Sequence, residues 1–275
     1  MKNGLLIFLV SFIALGGSWC GFVLAPELQL GGAKETTILN STDTYPLQRT
    51  GDATLGLQVY RANGCAACHT EQVRQEGVAC EVVLTDIGKN PAAVVNVISN
   101  VIPRAHEFST DHLPNIILGH LSREEAGNIA DKISAVGGKV EVHIGATGPD
   151  IARGWGRRQS VAEDYLYDEP VLLGNLRAGP DLANIGVREP DANWQLTHLY
   201  APSGVVQGST MPPFRYLFEL RKLGAAPSPD ALRFPKEYAL SAGYEVVPTE
   251  EAKQLAAYLL SLRANAPLYS APISP

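Results

Sequence analysis

Residues 65–69 read CAACH, and this C-x-x-C-H sequence, which occurs once, constrains the chain more than any other feature. It is the attachment signature of a c-type haem. The two thiols bond to the macrocycle, and the adjacent imidazole reaches the iron from one face. A thioredoxin-like redox pair and half a zinc site are the alternatives. A structural zinc site needs a second Cys or His pair at close spacing, whereas Cys80 stands alone and Cys20 lies in an apolar run. We therefore expect one covalently bound haem c, held by Cys65, Cys68 and His69.

The second axial ligand of the iron is predicted by elimination. Electron-carrying haems usually have His/Met or His/His ligation, and methionine occurs only at Met1 and Met211. Met1 lies at the far end of an apolar run, whereas Met211 lies in a stretch whose Gly and Pro residues favour a loop. His69 and Met211 are therefore the predicted iron ligands. His198 is the runner-up, although it falls on a predicted helix, where an exposed or capping histidine is the ordinary expectation.

The N-terminus predicts a membrane anchor. After Lys2 no charged residue occurs from position 4 to position 25, and Pro26 and Glu27 follow as the expected end of the run. A helix over these residues is about 33 Å long, which matches a hydrocarbon core of about 30 Å. A cleaved signal peptide is the alternative, but its apolar region is usually shorter. No second apolar run approaches spanning length, so we expect everything after Pro26 on one side of the membrane.

The charge of the chain argues against nucleic acid as a partner. The formal net charge is -6, and Lys and Arg form no clustered run. Phosphate binding requires such clusters. The composition, 45% hydrophobic and 18% charged, is that of a globular protein, and 275 residues exceed what one minimal haem domain needs. More than one folded unit is therefore predicted.

Three helices are predicted in the haem domain, over residues 52–63, 191–200 and 249–264. The first has apolar residues at i, i+4 and i+7 and ends at Gly64, directly before the cysteines. The last begins at Thr249, a good N-cap, and has acidic residues in its first turn.

The chain between Cys68 and Gly179 is longer than a haem domain needs, and its patterns predict an inserted α/β unit. Alternating residues predict strands, and apolar positions at helical spacing predict helices. Ser122 and Glu125 have the spacing of a capping box. The predicted order is strand 80–86, helix 91–101, strand 115–118, helix 122–136 and strand 139–144. The remaining histidines, His106, His112, His120 and His143, fall in this unit.

Residues 56–65, GLQVYRANGC, resemble the first helix of class I cytochromes c, and residues 249–264 resemble the C-terminal helix of that family. The resemblance implies that these two helices cross. Residues 179–182, GPDL, resemble the family's loop that lies against the proximal histidine. Because ligating histidines donate their second N–H to a carbonyl or carboxylate, the Pro180 carbonyl is the candidate acceptor.

Arginines near this loop are candidates for bonding the haem propionates, since guanidinium suits carboxylate bidentately. Arg177 is the first candidate. Arg153, Arg157 and Arg158 are others, and an ordinary surface role is an open alternative for all of them.

The order of the motifs is similar to that of the mono-haem membrane cytochrome c subunit, subunit II, of cbb3-type haem-copper oxidases. The family usually has WGSKRTGPDL where this chain has LGNLRAGPDL, and an Arg near Ser203 that is missing here, so a divergent branch is predicted. The similar stretches are residues 45–47 (YPL), 68–74 (CHTEQVR), 163–170 (EDYLYDEP), 174–182 (GNLRAGPDL), 198–199 (HL) and 205–212 (VVQGSTMP).

This resemblance implies a relay of single electrons. The haem would receive an electron from a donor cytochrome c or a sister subunit and pass it toward the haem-copper catalytic subunit, which reduces oxygen in aerobic respiration. Other oxidase subunits and membrane lipid are implied as partners. The implied location is a bacterial inner membrane, crossed once, with the haem domain on the periplasmic side. The chain is not expected to be catalytic on its own.

Two other functions stay open. One is a free-standing, membrane-anchored electron carrier of another oxidoreductase. The other is a small haem enzyme or sensor, which needs an open sixth coordination position. Met211 argues against the second.

The inserted unit is similar to the C-terminal domain of the large-subunit ribosomal stalk protein. The similarity rests on residues 81–86 (EVVLTD), 89–95 (KNPAAVV), 122–126 (SREEA) and 137–142 (GGKVEV), with the middle helix of that family shortened or replaced over residues 104–114. An exported haem protein has no access to ribosomal factors, so the fold analogy transfers no function.

The predicted fold class is therefore mainly α: a class I cytochrome c domain with an N-terminal transmembrane helix and an inserted small α/β domain. The predicted boundaries are 1–27 for the anchor, 28–50 for a linker, 51–78 for the first part of the cytochrome c domain, 79–146 for the insert, 147–266 for the second part and 267–275 for a tail.

Overall fold

The computed structural model describes residues 3–32, 34–49, 51–101, 112–235, 238 and 240–271. Some of the sequence predictions lie outside these residues. They are Met1, His106, positions 104–111 of the segment predicted to replace a helix, and positions 272–275 of the tail.

The apolar N-terminus is a continuous helical rod. It consists of α1 (Gly4–Trp19), a π-helical turn (Cys20–Leu24) and α2 (Ala25–Leu30). An 18-residue window within Gly4–Gln29 has a mean hydropathy of 2.1, so this stretch is long and apolar enough to cross a membrane. The helix continues to Leu30, past Pro26, where the uncharged run of the sequence ends. Proline lacks an N–H and crowds the preceding turn, and the wider π-helical turn directly before Pro26 accommodates it.

The rest of the described chain contains further helices and short strands. The helices are α3 (Asp52–Ala62), α4 (Pro91–Val101), α5 (Arg123–Ala135), α6 (Pro149–Ala152), α7 (Ile185–Arg188), α8 (Ala192–Tyr200), α9 (Pro202–Val205) and α10 (Glu250–Ser261). The strands are β1 (Thr36–Thr37), β2 (Thr44–Tyr45), β3 (Gly77–Asp86), β4 (Asn115–Leu121), β5 (Lys139–Thr147), β6 (Phe218–Lys222) and β7 (Tyr244–Pro248).

The predicted linker is residues 28–50, and its part from Thr36 to Arg49 lies against the predicted haem domain. Its strands β1 and β2 form an antiparallel hairpin. The Tyr45 hydroxyl donates a hydrogen bond to Asp164 (2.7 Å), and Arg49 pairs with Asp168 and donates to Ser261. The docking of this segment was not predicted, because its partners lie more than a hundred residues away.

The predicted crossing of the first and last helices is confirmed. Helices α3 and α10 pack directly against each other. At the crossing Gly56 lies so close to α10 that a side chain there would overlap the Gln254 carbonyl. The rings of Tyr60 and Tyr258 lie 5.0 Å apart in the adjoining core, and both side chains are buried.

A β-hairpin in the second part of the haem domain was not predicted. Strands β6 and β7 pair antiparallel, with Phe218 opposite Pro248. Val246 is fully buried and Leu217, just before β6, nearly so. The Leu217 carbonyl accepts bonds from the amide and hydroxyl of Thr249, the N-cap of α10. The hairpin thus fixes where α10 begins.

The inserted unit has the elements predicted for it. Its sheet is antiparallel with strand order β4-β3-β5, and α4 and α5 contribute Val94, Ile98 and Ile133 to its core. Strands β3 and β5 are longer than predicted and pair from Leu84 and Val140 out to Gly77 and Thr147. Because the chain enters and leaves the unit on paired strands, the two ends lie side by side where they join the haem domain.

Candidate haem site

The CAACH pentad begins directly after α3. Gly64 adopts a left-handed backbone conformation (φ +67°), which favours glycine. A short 3₁₀ turn over Cys65–Ala67 follows, and the His69 amide donates to the Cys65 carbonyl (3.0 Å). The turn brings the two cysteines and the histidine to one cavity wall. Cys20, Cys65, Cys68 and Cys80 form no disulfide bonds with one another.

The pentad faces a cavity of about 370 Å³. Four segments that are distant in sequence line it: the pentad, the loop around Gly179, helix α8 with the loop after α9, and one side of α10. The lining includes Cys65, Cys68, His69, Ala178, Gly179, Pro180, Leu182, Trp194, His198, Val206, Met211, Leu255 and Leu259. The structure therefore brings together His69, Met211 and the two cysteines predicted to attach the haem.

His69 is held by the GPDL loop. Its Nδ1 lies 2.8 Å from the Pro180 carbonyl oxygen, which is the contact expected from the sequence. The Gly179 amide donates to the Cys68 carbonyl (2.9 Å), and a Cβ on Gly179 would overlap the His69 ring. Burial lowers the pKa of His69. Glycine at 179 thus permits the close approach, and the carbonyl of Pro180 orients the ring.

Asp181 joins the two parts of the haem domain, a role that the sequence analysis missed. Its carboxylate is fully buried and accepts bonds from the Thr70 hydroxyl (2.6 Å), the Gln72 amide (2.8 Å) and the Ala183 amide (2.9 Å). A buried carboxylate is tolerated when several donors satisfy it. These bonds fix the segment after His69 against the GPDL loop.

Arg177 does not line the described cavity wall. One guanidinium nitrogen donates to both carboxylate oxygens of Asp150 (2.6 and 2.8 Å), and Nε donates to Thr70 (2.9 Å). The group also lies 5.3 Å from the Trp155 ring centre. Its predicted bond to a haem propionate stays a prediction.

The other candidate arginines also lie away from the described lining. Arg158 is buried and forms a pair with Asp164 (2.7 Å). Arg153 lies over the Trp155 ring (5.0 Å), and Arg157 is exposed.

Met211 lies in a loop whose ends are anchored. Its amide donates to the Ser209 hydroxyl (3.4 Å), and the Phe214 amide donates to the Leu199 carbonyl on α8 (2.8 Å). Gly208 has a positive φ (+78°) and allows the turn before Met211. The loop thus presents a thioether to the cavity in which His69 lies.

His198 is neither exposed nor a cap, so that expectation was wrong. It lines the cavity, and its ring is stacked on Trp194 with 4.9 Å between centres and 3° between planes. Burial, with a smaller contribution from the charge of His69, lowers the pKa of His198 to about 4. Helical periodicity placed His198 on α8, but only the packing of α8 shows which side faces the cavity.

Glu71 is a second buried group that the sequence analysis missed. Its carboxylate is 3% exposed and accepts bonds from the Tyr258 hydroxyl (3.0 and 3.1 Å). Burial raises the pKa of Glu71 to about 7, although hydrogen bonds from tyrosines and the charge of Arg49 act in the opposite direction. A charged residue two positions after the predicted histidine ligand was the available signal.

The lining fits a covalently attached haem. Two thiols, one imidazole and one thioether are the groups that bond to the macrocycle and the iron in c-type cytochromes. Much of the remaining wall is apolar, with Leu182, Ile185, Leu199, Leu255 and Leu259. The Nδ1 atom of His198 is buried and has no hydrogen-bond partner among the described residues. In the described part of the chain no three His, Cys, Asp or Glu side chains cluster as they would around a metal ion.

Comparison with known proteins supports this interpretation. Residues 149–259 match the family model described as "Cytochrome C oxidase, mono-heme subunit/FixO". The matched segment contains the GPDL loop, α8, the Met211 loop and most of α10, but not the CAACH pentad. No curated protein matches the chain. The match confirms the resemblance predicted from the motifs: over residues 149–259 this chain is similar to the mono-haem subunit of cytochrome c oxidase.

Proposed function

We propose that this chain is a membrane-anchored mono-haem cytochrome c that relays single electrons to the haem-copper catalytic subunit of a cbb3-type terminal oxidase. Cys65 and Cys68 attach the haem, and His69 and Met211 bind its iron. The observation that carries the proposal is the convergence of these residues on one cavity, within a chain related to the oxidase mono-haem subunit.

The haem supplies the one-electron change, and the protein supplies its environment. Thiols at 65 and 68 hold the macrocycle, and the Pro180 carbonyl orients the His69 ring. Met211 provides the thioether ligand, and His/Met ligation raises the reduction potential. The apolar wall limits water around the iron, which also affects the potential.

The segment between the membrane helix and the haem domain is short, which favours a haem domain held near the membrane rather than one on a long, flexible linker. Residues 31–35 separate α2 from β1, and a fully extended chain of that length spans about 17 Å. From β1 onward the linker is held on the haem domain by Tyr45 and Arg49. We propose that α1 and α2 cross a bacterial inner membrane once and that the haem domain lies close to its periplasmic surface. A domain held in this way suits electron transfer to a neighbouring subunit.

The partners follow from this proposal. A donor cytochrome c or a sister subunit delivers the electron, and the catalytic subunit receives it and carries out the oxygen chemistry. The chain is not catalytic on its own. A free-standing anchored cytochrome of another oxidoreductase is the alternative, and purification distinguishes the two.

The decisive experiment is to purify the tagged chain from its native membrane in mild detergent. Its reduced-minus-oxidised spectrum, metal content and oxygen consumption are then measured. We expect a c-type signal accompanied by b-type haem, copper and oxygen consumption. A c-type signal alone, without copper, contradicts the oxidase assignment and favours the free-standing carrier.

A second experiment tests the iron ligand and with it the enzyme or sensor alternative. Met211→Ala removes the thioether, and we expect the ferric haem to become high-spin and to bind added ligands such as cyanide. Val206→Ala, in the same loop and at the same cavity, is the control and should keep the low-spin spectrum. An unchanged oxidised spectrum in Met211→Ala would show that the ligand assignment is wrong.

The insert is proposed to dock on a neighbouring subunit, and its similarity to the ribosomal stalk domain stays a prediction. Deletion of residues 80–145 tests the docking. Gly77 and Thr147 are paired where the insert begins and ends, so an Asn-Gly turn can join the cut strands. Oxidase assembly that is unchanged in this variant would rule out a docking role.

A further inference from the structure

One polar atom at the cavity wall lacks a partner. The Nδ1 atom of His198 is buried and accepts or donates no hydrogen bond among the described residues. Buried polar atoms in native proteins almost always have a partner, and leaving one unpaired costs free energy. The stacking of the ring on Trp194 fixes its orientation. A group that fills the cavity can therefore supply the missing partner.

His198 lies beside the Met211 loop. The residue after His198, Leu199, accepts the hydrogen bond from Phe214 that anchors the end of this loop (2.8 Å). His198 and Met211 both line the cavity. His69 lies near as well, because its charge contributes to the lowered pKa of His198. His198 and the thioether of Met211 thus line the same cavity, on segments that the Phe214–Leu199 hydrogen bond joins.

We propose that Nδ1 of His198 donates a hydrogen bond to the Met211 sulfur when that sulfur binds the haem iron, which makes His198 a positioning residue for the axial ligand. This inference rests on the proposed haem function and deepens it. No covalent bond forms or breaks between the two side chains. The neutral imidazole carries its proton on Nδ1 in this arrangement.

A thioether on a loop needs such support. Methionine has three rotatable side-chain bonds, so its sulfur has no fixed position of its own. Hydrogen bonds to metal ligands orient the ligands and tune the metal. A donor at the sulfur withdraws electron density from it, which favours the ferrous state and raises the reduction potential. His198 would therefore keep Met211 on the iron and keep the potential high.

Two variants of His198 in the full-length, haem-loaded chain test the proposal. His198→Phe removes the donor, and His198→Gln retains an N–H in the side chain. Binding of added imidazole to the ferric haem reports how readily Met211 is displaced. We expect binding about tenfold tighter in His198→Phe, equivalent to about 1.4 kcal/mol, a lower midpoint potential, and intermediate values in His198→Gln. His143→Phe, in the insert, is the control and should change neither quantity. Unchanged imidazole binding and potential in His198→Phe would overturn the proposal.

The same substitution in a Met211→Ala background separates the possible partners of His198. If His198 acts through the sulfur, His198→Phe has no further effect on the potential there, as a double-mutant cycle requires. A shift of the same size in both backgrounds would show that His198 bonds a haem propionate instead. A Met211→Ala haem that stays low-spin only when His198 is present would show that His198 binds the iron. Either result overturns the proposal.

The unsubstituted protein provides a measurement that needs no variant. In the ¹⁵N-labelled, reduced chain the Nδ1 proton of His198 should be present, exchange slowly with water and show a large ring-current shift. A deprotonated Nδ1 would contradict the proposal even if the variants fail to take up haem. Absence of a c-type spectrum would instead contradict the proposed function itself, so the two failures are distinguishable.

Discussion

The insert and the haem domain are held together in different ways. The core of the insert, from Cys80 to Ile133, uses apolar residues contributed by one continuous stretch of chain. The core of the haem domain combines residues from before and after the insert, such as Tyr60 and Tyr258, and surrounds a cavity of about 370 Å³. The core of the insert is filled by its own side chains, whereas the core of the haem domain is completed by the proposed haem.

The haem domain and the insert also differ in their buried polar and charged side chains. Among the described residues, every buried polar or charged side chain lies in the haem domain; they are Thr70, Glu71, Asp150, Arg158, Asp181, Asn184, Gln195 and Thr197. Several of them bond partners in distant segments, as Asp181 does with Thr70. The difference teaches that a domain split by an insertion needs specific polar bonds between its parts, while a locally assembled unit holds together through apolar packing.

The largest expected effect is at the crossing of α3 and α10. Gly56→Ala places a Cβ against the Gln254 carbonyl, and overpacking of this kind should cost about 4 kcal/mol or more. Gly127→Ala in α5 of the insert is the control, since nothing lies near a Cβ there, and it should stabilise by up to about 1 kcal/mol. Segment-resolved hydrogen exchange of the haem-loaded protein measures both. If Gly56→Ala lowers hydrogen-exchange protection in the insert as much as in the haem domain, the two domains are not independently stabilised.

The next largest effect is in the core of the insert. Leu84 is fully buried, and Leu84→Ala should destabilise the insert by about 3 kcal/mol. The haem absorption spectrum should not change, because Leu84 contacts a separate core. Val142→Ala, at a partly exposed position on β5, is the control and should cost less than about 1 kcal/mol. Thermal unfolding followed by both circular dichroism and haem absorbance separates the two domains. A change in haem absorbance at the new, lower transition temperature would contradict their independence.

The pH dependence should belong to the haem domain. Burial raises the pKa of Glu71 from 4.5 to about 7, so between these values the folded protein holds a proton that the unfolded chain releases. Stability from this group is full below about pH 4.5 and is lost as the pH rises through 7, by on the order of 3 kcal/mol. Glu71→Gln should remove this decline, and exposed Glu76→Gln should leave it. A decline that persists in Glu71→Gln, measured by denaturant unfolding from pH 4.5 to 8, would assign it to another group.

The smallest effect is at a helix start in the insert. The Ser122 hydroxyl accepts from the Glu125 amide (3.2 Å), and the Glu125 carboxylate accepts from the Ser122 amide (2.9 Å). Ser122→Ala should therefore destabilise the insert by about 1 kcal/mol. Exposed Ser134→Ala, near the end of the same helix, should be neutral or slightly stabilising. The midpoint of denaturant unfolding measures both, and a cost to haem-domain stability would again contradict the comparison.

The elements that could be predicted from the sequence are those specified by neighbouring residues. The CAACH pentad needs only the spacing of three side chains, and the capping box of α5 needs only Ser122 and Glu125. The helices and strands of the insert followed from local periodicity because each buries one face against elements close in the chain. The hairpin of β6 and β7 was not predicted, because its strands are short and are separated by a long connection.

The sequence by itself determined which chemical groups are present: two thiols and a histidine in one pentad, a methionine in a loop, and an apolar segment long enough to span a membrane. Only the tertiary structure decided that these groups share a cavity, that His198 faces it, and that Glu71 and Asp181 are buried. The physical reason is that spacing along the chain governs covalent chemistry and local hydrogen bonds. Burial, orientation and pKa depend on side chains that folding brings from more than a hundred residues away.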